Sequence, residues 1–133
     1  MPKFSKTSSE RLITCHPRLQ ELMNRVVKRL DIAIVCGHRS EKEQNEAFAN
    51  KKSKLKYPNS KHNKLPSEAV DVAFWDGEKL LWDTKQSSFL AGYILAIADE
   101  MGIEIRLGAD WDRDRNITDE KFIDLPHVEY ING

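Results

Sequence analysis

Apolar residues at Leu19, Leu22, Met23, Val26, Val27 and Leu30 recur at helical spacing behind Pro17, a residue suited to a first helical turn, and predict an amphipathic helix. Ser8 and Ser9 are candidate caps for a shorter helix before it, with Glu10 and Arg11 in its opening turn. After Asp31 the run Ile32 to Cys36 is short, apolar and closed by Gly37, the pattern of a buried strand. Ser40 followed by Glu43 forms a capping box and opens a helix over about 41–50. The segment Ala69 to Trp75 reads as a second strand, with an Asp76–Gly77 turn and a partner strand over 79–82. Leu90, Ile94, Ile97 and Met101 mark one face of a helix over about 86–101, with Gly102 as its C-terminal cap. Strands follow at Ile103 to Leu107 and His127 to Ile131. Strands and helices mix without regular alternation, so the expected class is α+β, a small central and largely antiparallel sheet flanked by helices.

Between these elements lies one long polar stretch, 51–66, with lysines at 51, 52, 54, 56, 61 and 64. By default it is a solvated loop, yet loops of this length in compact domains are often functional. The chain has 133 residues, a length expected to make one domain, 1–133. Lys plus Arg and Asp plus Glu both number 21, so bulk charge gives no footprint for nucleic acid. No apolar run reaches membrane-spanning length, and the opening MPKFSKTSSERL lacks the apolar centre of a signal peptide. The expectations are therefore a cytosolic product with no membrane insertion and no nucleic-acid partner. Cys15 and Cys36 form no CxxC pair, and each reads as a buried or half-buried thiol.

Chemistry concentrates around two of the four histidines. His62 stands nine positions before Asp71, a carboxylate set between apolar residues of a strand, where an unpaired charge is costly. His127 follows Asp124 by three positions. Two imidazoles and one carboxylate are a common catalytic zinc set, and a second carboxylate could take a proton from water at the fourth position. A lysine paired with Asp71 would explain that residue equally well.

Four stretches also carry a resemblance: GHRSEKEQNEAF (Gly37 to Phe48), SKHNKLPSEAVDVAFW (Ser60 to Trp75), LGADWDRD (Leu107 to Asp114) and DLPHVEY (Asp124 to Tyr130). In this order they resemble the D-alanyl-D-alanine metallopeptidase superfamily over about residues 32–131. That superfamily includes vancomycin-resistance D,D-dipeptidases and the phage L-alanyl-D-glutamate endopeptidases. The chain is short and shows no second domain or signal peptide, which favours the phage endolysin branch. The resemblance implies a hedgehog/D,D-peptidase-like fold and a zinc ion held by His62, Asp71 and His127. It implies Asp124 as the catalytic carboxylate, where many relatives carry Glu, and Arg39 as the group facing the developing oxyanion. Ser60 and Trp111 fall where relatives touch substrate. A common form of the motif has a shorter His-to-Asp spacer with a glycine in its turn; Pro66 and Ser67 stand there instead, as in the PSxAVD variant of phage members.

The implied activity is zinc-dependent hydrolysis of the L-alanyl-D-glutamate bond of peptidoglycan stem peptides, by a monomer released from the host cytoplasm to the wall at lysis. D-alanyl-D-alanine carboxypeptidase or dipeptidase activity, and a non-catalytic zinc-containing binding module, are the alternatives. Glu129 competes with Asp124 as the base because it shares a strand face with His127. Gln44 is placed either to steady Arg39 or to face solvent. Asp110, Asp112 and Asp114 invite a calcium reading, but the glycine and terminal glutamate of an EF-hand loop are missing, and a solvated loop is the default. His16 and His38 read as structural or surface groups.

Overall fold

A computed structural model describes residues 3–119 and 127–131. Its strands are β1 (Ile32–Cys36), β2 (Ala69–Trp75), β3 (Leu80–Leu81), β4 (Ile105–Leu107) and β5 (His127–Tyr130), and its helices are α1 (Lys6–Leu12), α2 (Pro17–Val27), α3 (Glu41–Ala49) and α4 (Thr84–Met101). The sheet runs β1-β2-β5-β4 with β3 appended to β2, and every pairing is antiparallel. The α+β expectation holds, and β1 and β2 have the bounds that the sequence pattern gives.

Strand alternation divides the sheet into two chemical faces. Val70, Val72 and Val128 are at most 1% exposed and, with Ile34 and Leu107, turn toward the core that α2 and α4 complete through Leu19, Leu22, Met23, Leu90 and Ile94. The intervening positions, Asp71, His127 and Glu129, therefore share the opposite face. Asp71 is thus not a charge inside the core: the V-D-V pattern sends both valines one way and the carboxylate the other.

Edge strand β1 is covered by α1. Ser5, not Ser8 or Ser9, caps this helix, its hydroxyl accepting from the Ser8 amide. Ser8 is instead buried and accepts from the Ile34 amide at 2.9 Å, while Arg11 Nη1 donates to the Ile34 carbonyl at 3.0 Å. Side chains thereby satisfy the strand edge that would otherwise stand open. Helix α4 begins at Thr84 behind an Asp83 cap, and Gly102 closes it with φ 70°. His16 caps α2 and stacks on Tyr130, a structural role. Gly37, directly after β1, lies so close to the Arg11 carbonyl and Thr14 Oγ1 that a Cβ would collide with both.

Replacing Ser8 by Ala leaves the Ile34 amide buried without a partner, and chemical denaturation should report a loss of about 1–3 kcal/mol. Ser9→Ala, at an exposed neighbour, should stay within about 0.5 kcal/mol of wild type. Equal effects of the two changes would show that the hydroxyl does not hold the strand edge.

Candidate metal centre and cleft

Asp71 lies opposite His127 on β5 and opposite Cys36 on β1, so the register sets three chemistry-bearing residues in one cross-strand row. A bulge between Ile34 and Cys36 makes this possible. In regular pairing Val35 would oppose Asp71; the extra residue turns Cys36 to the site face instead. His62 reaches the row from a short 3-10 turn, Lys61–Asn63, capped by Ser60, whose hydroxyl accepts from the His62 amide at 3.2 Å. The segment after it is tied down by Ser67, whose amide donates to the Thr14 carbonyl and whose hydroxyl donates to the Ala69 carbonyl.

The two imidazoles converge on one oxygen. His127 Nδ1 is 2.9 Å and His62 Nε2 is 3.3 Å from Asp71 Oδ1, and the two rings meet edge-on with centroids 5.1 Å apart. His62 Nδ1 lies 2.8 Å from the Gly37 carbonyl, which can only accept, so this nitrogen carries a proton and Nε2 is the one aimed at the carboxylate. Nε2 is buried and makes no hydrogen bond there. On His127 the roles of the nitrogens are exchanged: Nε2 lies 3.1 Å from Glu129 Oε1, leaving Nδ1 toward Asp71. Each ring is therefore oriented by a hydrogen bond on its far nitrogen, the usual outer arrangement of metal-binding histidines.

Burial disfavours charge on both imidazoles, but the Asp71 carboxylate outweighs it. His62 rises from 6.5 to about 10, and His127 rises to about 9 with help from Glu129. Burial likewise opposes ionisation of Asp71, yet the His62 charge and the His127 hydrogen bond hold its carboxyl well below the ordinary range. Glu129 is also lowered: burial opposes its charge, but hydrogen bonds from His127 and Arg106 prevail. Cys36, His62 and Asp71 each offer a donor atom within 4.8 Å of the others, a group that could hold a metal ion.

Around this centre Arg39 Nη2 is 3.7 Å from Asp71 Oδ2 and 3.5 Å from Cys36 Sγ. Gln44 does not face solvent: it is fully buried and accepts from Arg39 Nη1 at 3.0 Å. Trp111 is half-buried, with its ring 5.6 Å from that of His127, and it lines one cleft with Ser60, Arg39, Asp71, His62 and His127. Asp124 lies outside the described residues. Asp110, Asp112 and Asp114 gather carboxylates within 4.8 Å of one another beside the Trp111 segment. His38 is half-buried, and its amide donates to Thr14 Oγ1.

Sequence reasoning passed over Cys36, and it gave Glu129 no role as the partner of His127. A strand reading of HVEY puts 127 and 129 on one face, which was the available signal for Glu129. For Cys36 there was none, because a bulge in a run such as IAIVC leaves no mark in the sequence.

A family model described as phage L-alanyl-D-glutamate peptidase matches residues 1–131. The L-alanyl-D-glutamate peptidase of Escherichia phage T5 is 32% identical over 135 residues, covering 97% of this chain and 98% of that protein. The crystal structure of the Serratia marcescens L-Ala D-Glu endopeptidase ChiX superposes with a TM-score of 0.75 at 23% identity, over 97% of this chain and 90% of that one, a likeness of fold. Among the described residues no helix is long and apolar enough to cross a membrane.

The raised imidazoles give the metal-free protein a defined pH response. Their contribution to stability is fully present below about 6.5 and is lost as pH rises through about 9 to 10. The Asp71 contribution is fully present above 3.8 and is lost as pH falls toward its lowered folded value. Thermal melts of chelator-treated protein should therefore peak between about pH 4 and 6.5. If an ion is held by both rings, each must first give up a proton, so calorimetry in buffers of different ionisation enthalpy should then show about two protons released per divalent ion at pH 7. Release of none would mean that the ion binds elsewhere.

Proposed function

The chain belongs to the phage L-alanyl-D-glutamate peptidase family, and from that membership we propose that it is a single-domain zinc peptidase that cuts the L-alanyl-D-glutamate bond of peptidoglycan stem peptides during lysis of the host. The observation that carries this reading is the convergence of His62 Nε2 and His127 Nδ1 on Asp71 Oδ1.

Two donor separations support zinc at this set. Ligands at about 2.0–2.1 Å from a tetrahedral ion stand about 3.3–3.4 Å apart. The His62–Asp71 separation of 3.3 Å matches, and the 2.9 Å contact of His127 has hydrogen-bond length and would have to open slightly for an ion to replace the proton. The buried, hydrogen-bond-free Nε2 of His62 supports the same set. Two imidazoles and a carboxylate are a set that catalytic zinc uses, and one that other first-row divalent ions also accept. Cys36 sits 3.7 Å from His62 Nδ1, the nitrogen turned away from Asp71 Oδ1, and so flanks the set.

His62, Asp71 and His127 would hold the zinc ion, which when bound would bring the pKa of a water toward neutrality and polarise the scissile carbonyl. The chain's own residues do the rest. Asp124, three positions before His127, takes the proton of the attacking water and hands it to the leaving amine. Glu129 is not available for that work: its two oxygens are engaged by His127 Nε2 and by Arg106. Arg39, braced by Gln44, presents its guanidinium to the oxyanion. Ser60 and Trp111 line the cleft as substrate contacts.

Mass spectrometry of purified sacculi after digestion tests this reading. New L-alanine carboxyl ends paired with D-glutamate amines are expected, and a chelator should abolish them. Released D-alanine would indicate the carboxypeptidase activity, and unaltered sacculi would indicate a binding module. Asp124→Ala should keep the metal, measured by elemental analysis, and lose turnover; near wild-type turnover would remove Asp124 from the role of base. Arg39→Met should lower kcat by about 10²–10³ with the metal content unchanged. A loss confined to KM would assign Arg39 to substrate binding instead.

A further inference from the structure

The cleft beside the metal centre carries more positive charge than the proposed chemistry uses. Arg39, Lys52, Lys54 and Arg106 line it, against the carboxylates of Asp71 and Glu129, and both carboxylates are already engaged by imidazoles. Arg106 is held on two sides. Its Nε and Nη2 donate to Glu129 Oε2 at 3.0 and 2.6 Å, and its guanidinium carbon lies 5.3 Å from the centre of the Trp111 ring. Cross-strand pairing places it opposite Glu129, on the sheet face that carries His127 and Asp71. One edge and one flat face of the guanidinium are thus occupied. Nη1 has no partner among the described residues, and 34% of the side chain is exposed to the cleft. A planar guanidinium held in this way has little freedom left to lose when it binds a carboxylate.

The substrate chemistry supplies such a group beside the bond that breaks. In stem peptides the glutamate is joined onward through its side-chain carboxyl. Its α-carboxyl remains on the carbon attached to the scissile nitrogen, either free or as the amide. We propose that Arg106 reads this α-carboxylate, so that the protein distinguishes peptidoglycan with free D-glutamate from peptidoglycan in which that residue is amidated. The inference rests on the peptidase reading above and deepens it. Glu129 then has two tasks, holding His127 at one oxygen and Arg106 at the other, which ties the orientation of a metal-binding ring to that of the substrate-reading group.

Two N-acetylated tripeptides, L-Ala-γ-D-Glu-L-Lys and the matching isoglutamine peptide, compared by kcat/KM with the zinc-loaded protein, provide the test. Wild type should prefer the free acid by about tenfold or more, the difference between a charge-assisted and a neutral hydrogen bond. Arg106→Met should bring the ratio close to one, chiefly by losing rate on the free acid. Arg106→Lys, which keeps the charge beside Glu129 without the planar fork, should give an intermediate ratio and carries the comparison if the Met variant fails to fold. A residue that only neutralises Glu129 would lower both rates alike and leave the ratio standing, and that result overturns the assignment. Equal cleavage of both peptides by wild type overturns the inference while leaving the peptidase intact. Cleavage of neither overturns the peptidase reading together with it.

Discussion

Antiparallel pairing of β2 with β5 in one register sets Asp71 across from His127, and nearly everything at the site follows from that pairing. A slip of one residue would send Asp71 into the core and Val70 or Val72 to the cleft, exchanging the faces of the whole strand. The apolar face guards against it: Val70, Val72 and Val128 interlock with α4 and α2, and burying a carboxylate among them would be far more costly than any local gain. The hydrophobic core therefore acts as the alignment device of a polar site with which it shares no side chain. The β1 bulge adjusts the third strand of the row, and Gly37 lets the chain leave β1 against α1 so that its carbonyl can orient His62.

The charges on the site face form an alternating series. Arg106 meets Glu129, Glu129 meets His127, and His127 and His62 share Asp71, which Arg39 approaches from its other oxygen. Each buried charge of this series thus has a partner, the condition under which burial of ions is tolerated. Two protons between the imidazoles and Asp71 hold the series together, and a divalent ion bound by the same groups would replace them. The apolar face is packed by side chains alone, whereas small zinc modules are unfolded without their ion.

Much of this was legible in the sequence, and the rest was hidden for physical reasons. The Ser40–Glu43 capping box, the bounds of β1 and β2 and the Gly102 cap depend on neighbours within a few positions, and they stand as the pattern indicates. The cap of α1 was misplaced because Ser5, Ser8 and Ser9 are equally good local candidates. Only the edge of β1, 26 residues along the chain from Ser8, decides that Ser8 is needed elsewhere. His62, Asp71 and His127 could be nominated from residue type and resemblance, whereas Cys36 and the Arg106–Glu129 pair depend on cross-strand register, which no local window contains.

Gln44 shows how such a site can be more than a place to store an ion. It is fully buried with its polar atoms satisfied: Oε1 accepts from Arg39 Nη1 and from Asn63 Nδ2, and Nε2 donates to Ser53 Oγ and to the Leu55 carbonyl. One amide thereby connects the arginine after β1, the turn that carries His62 and the loop that brings Lys52 and Lys54 to the cleft. A purely structural metal site has no need to immobilise a cation that approaches the candidate donor atoms no more closely than 3.5 Å. A site that stabilises negative charge as it forms does need this, since a donor fixed in advance spends no free energy on reorganisation at the moment of reaction. The buried amide of Gln44 is therefore the feature of this cleft that most favours catalysis over simple ion binding.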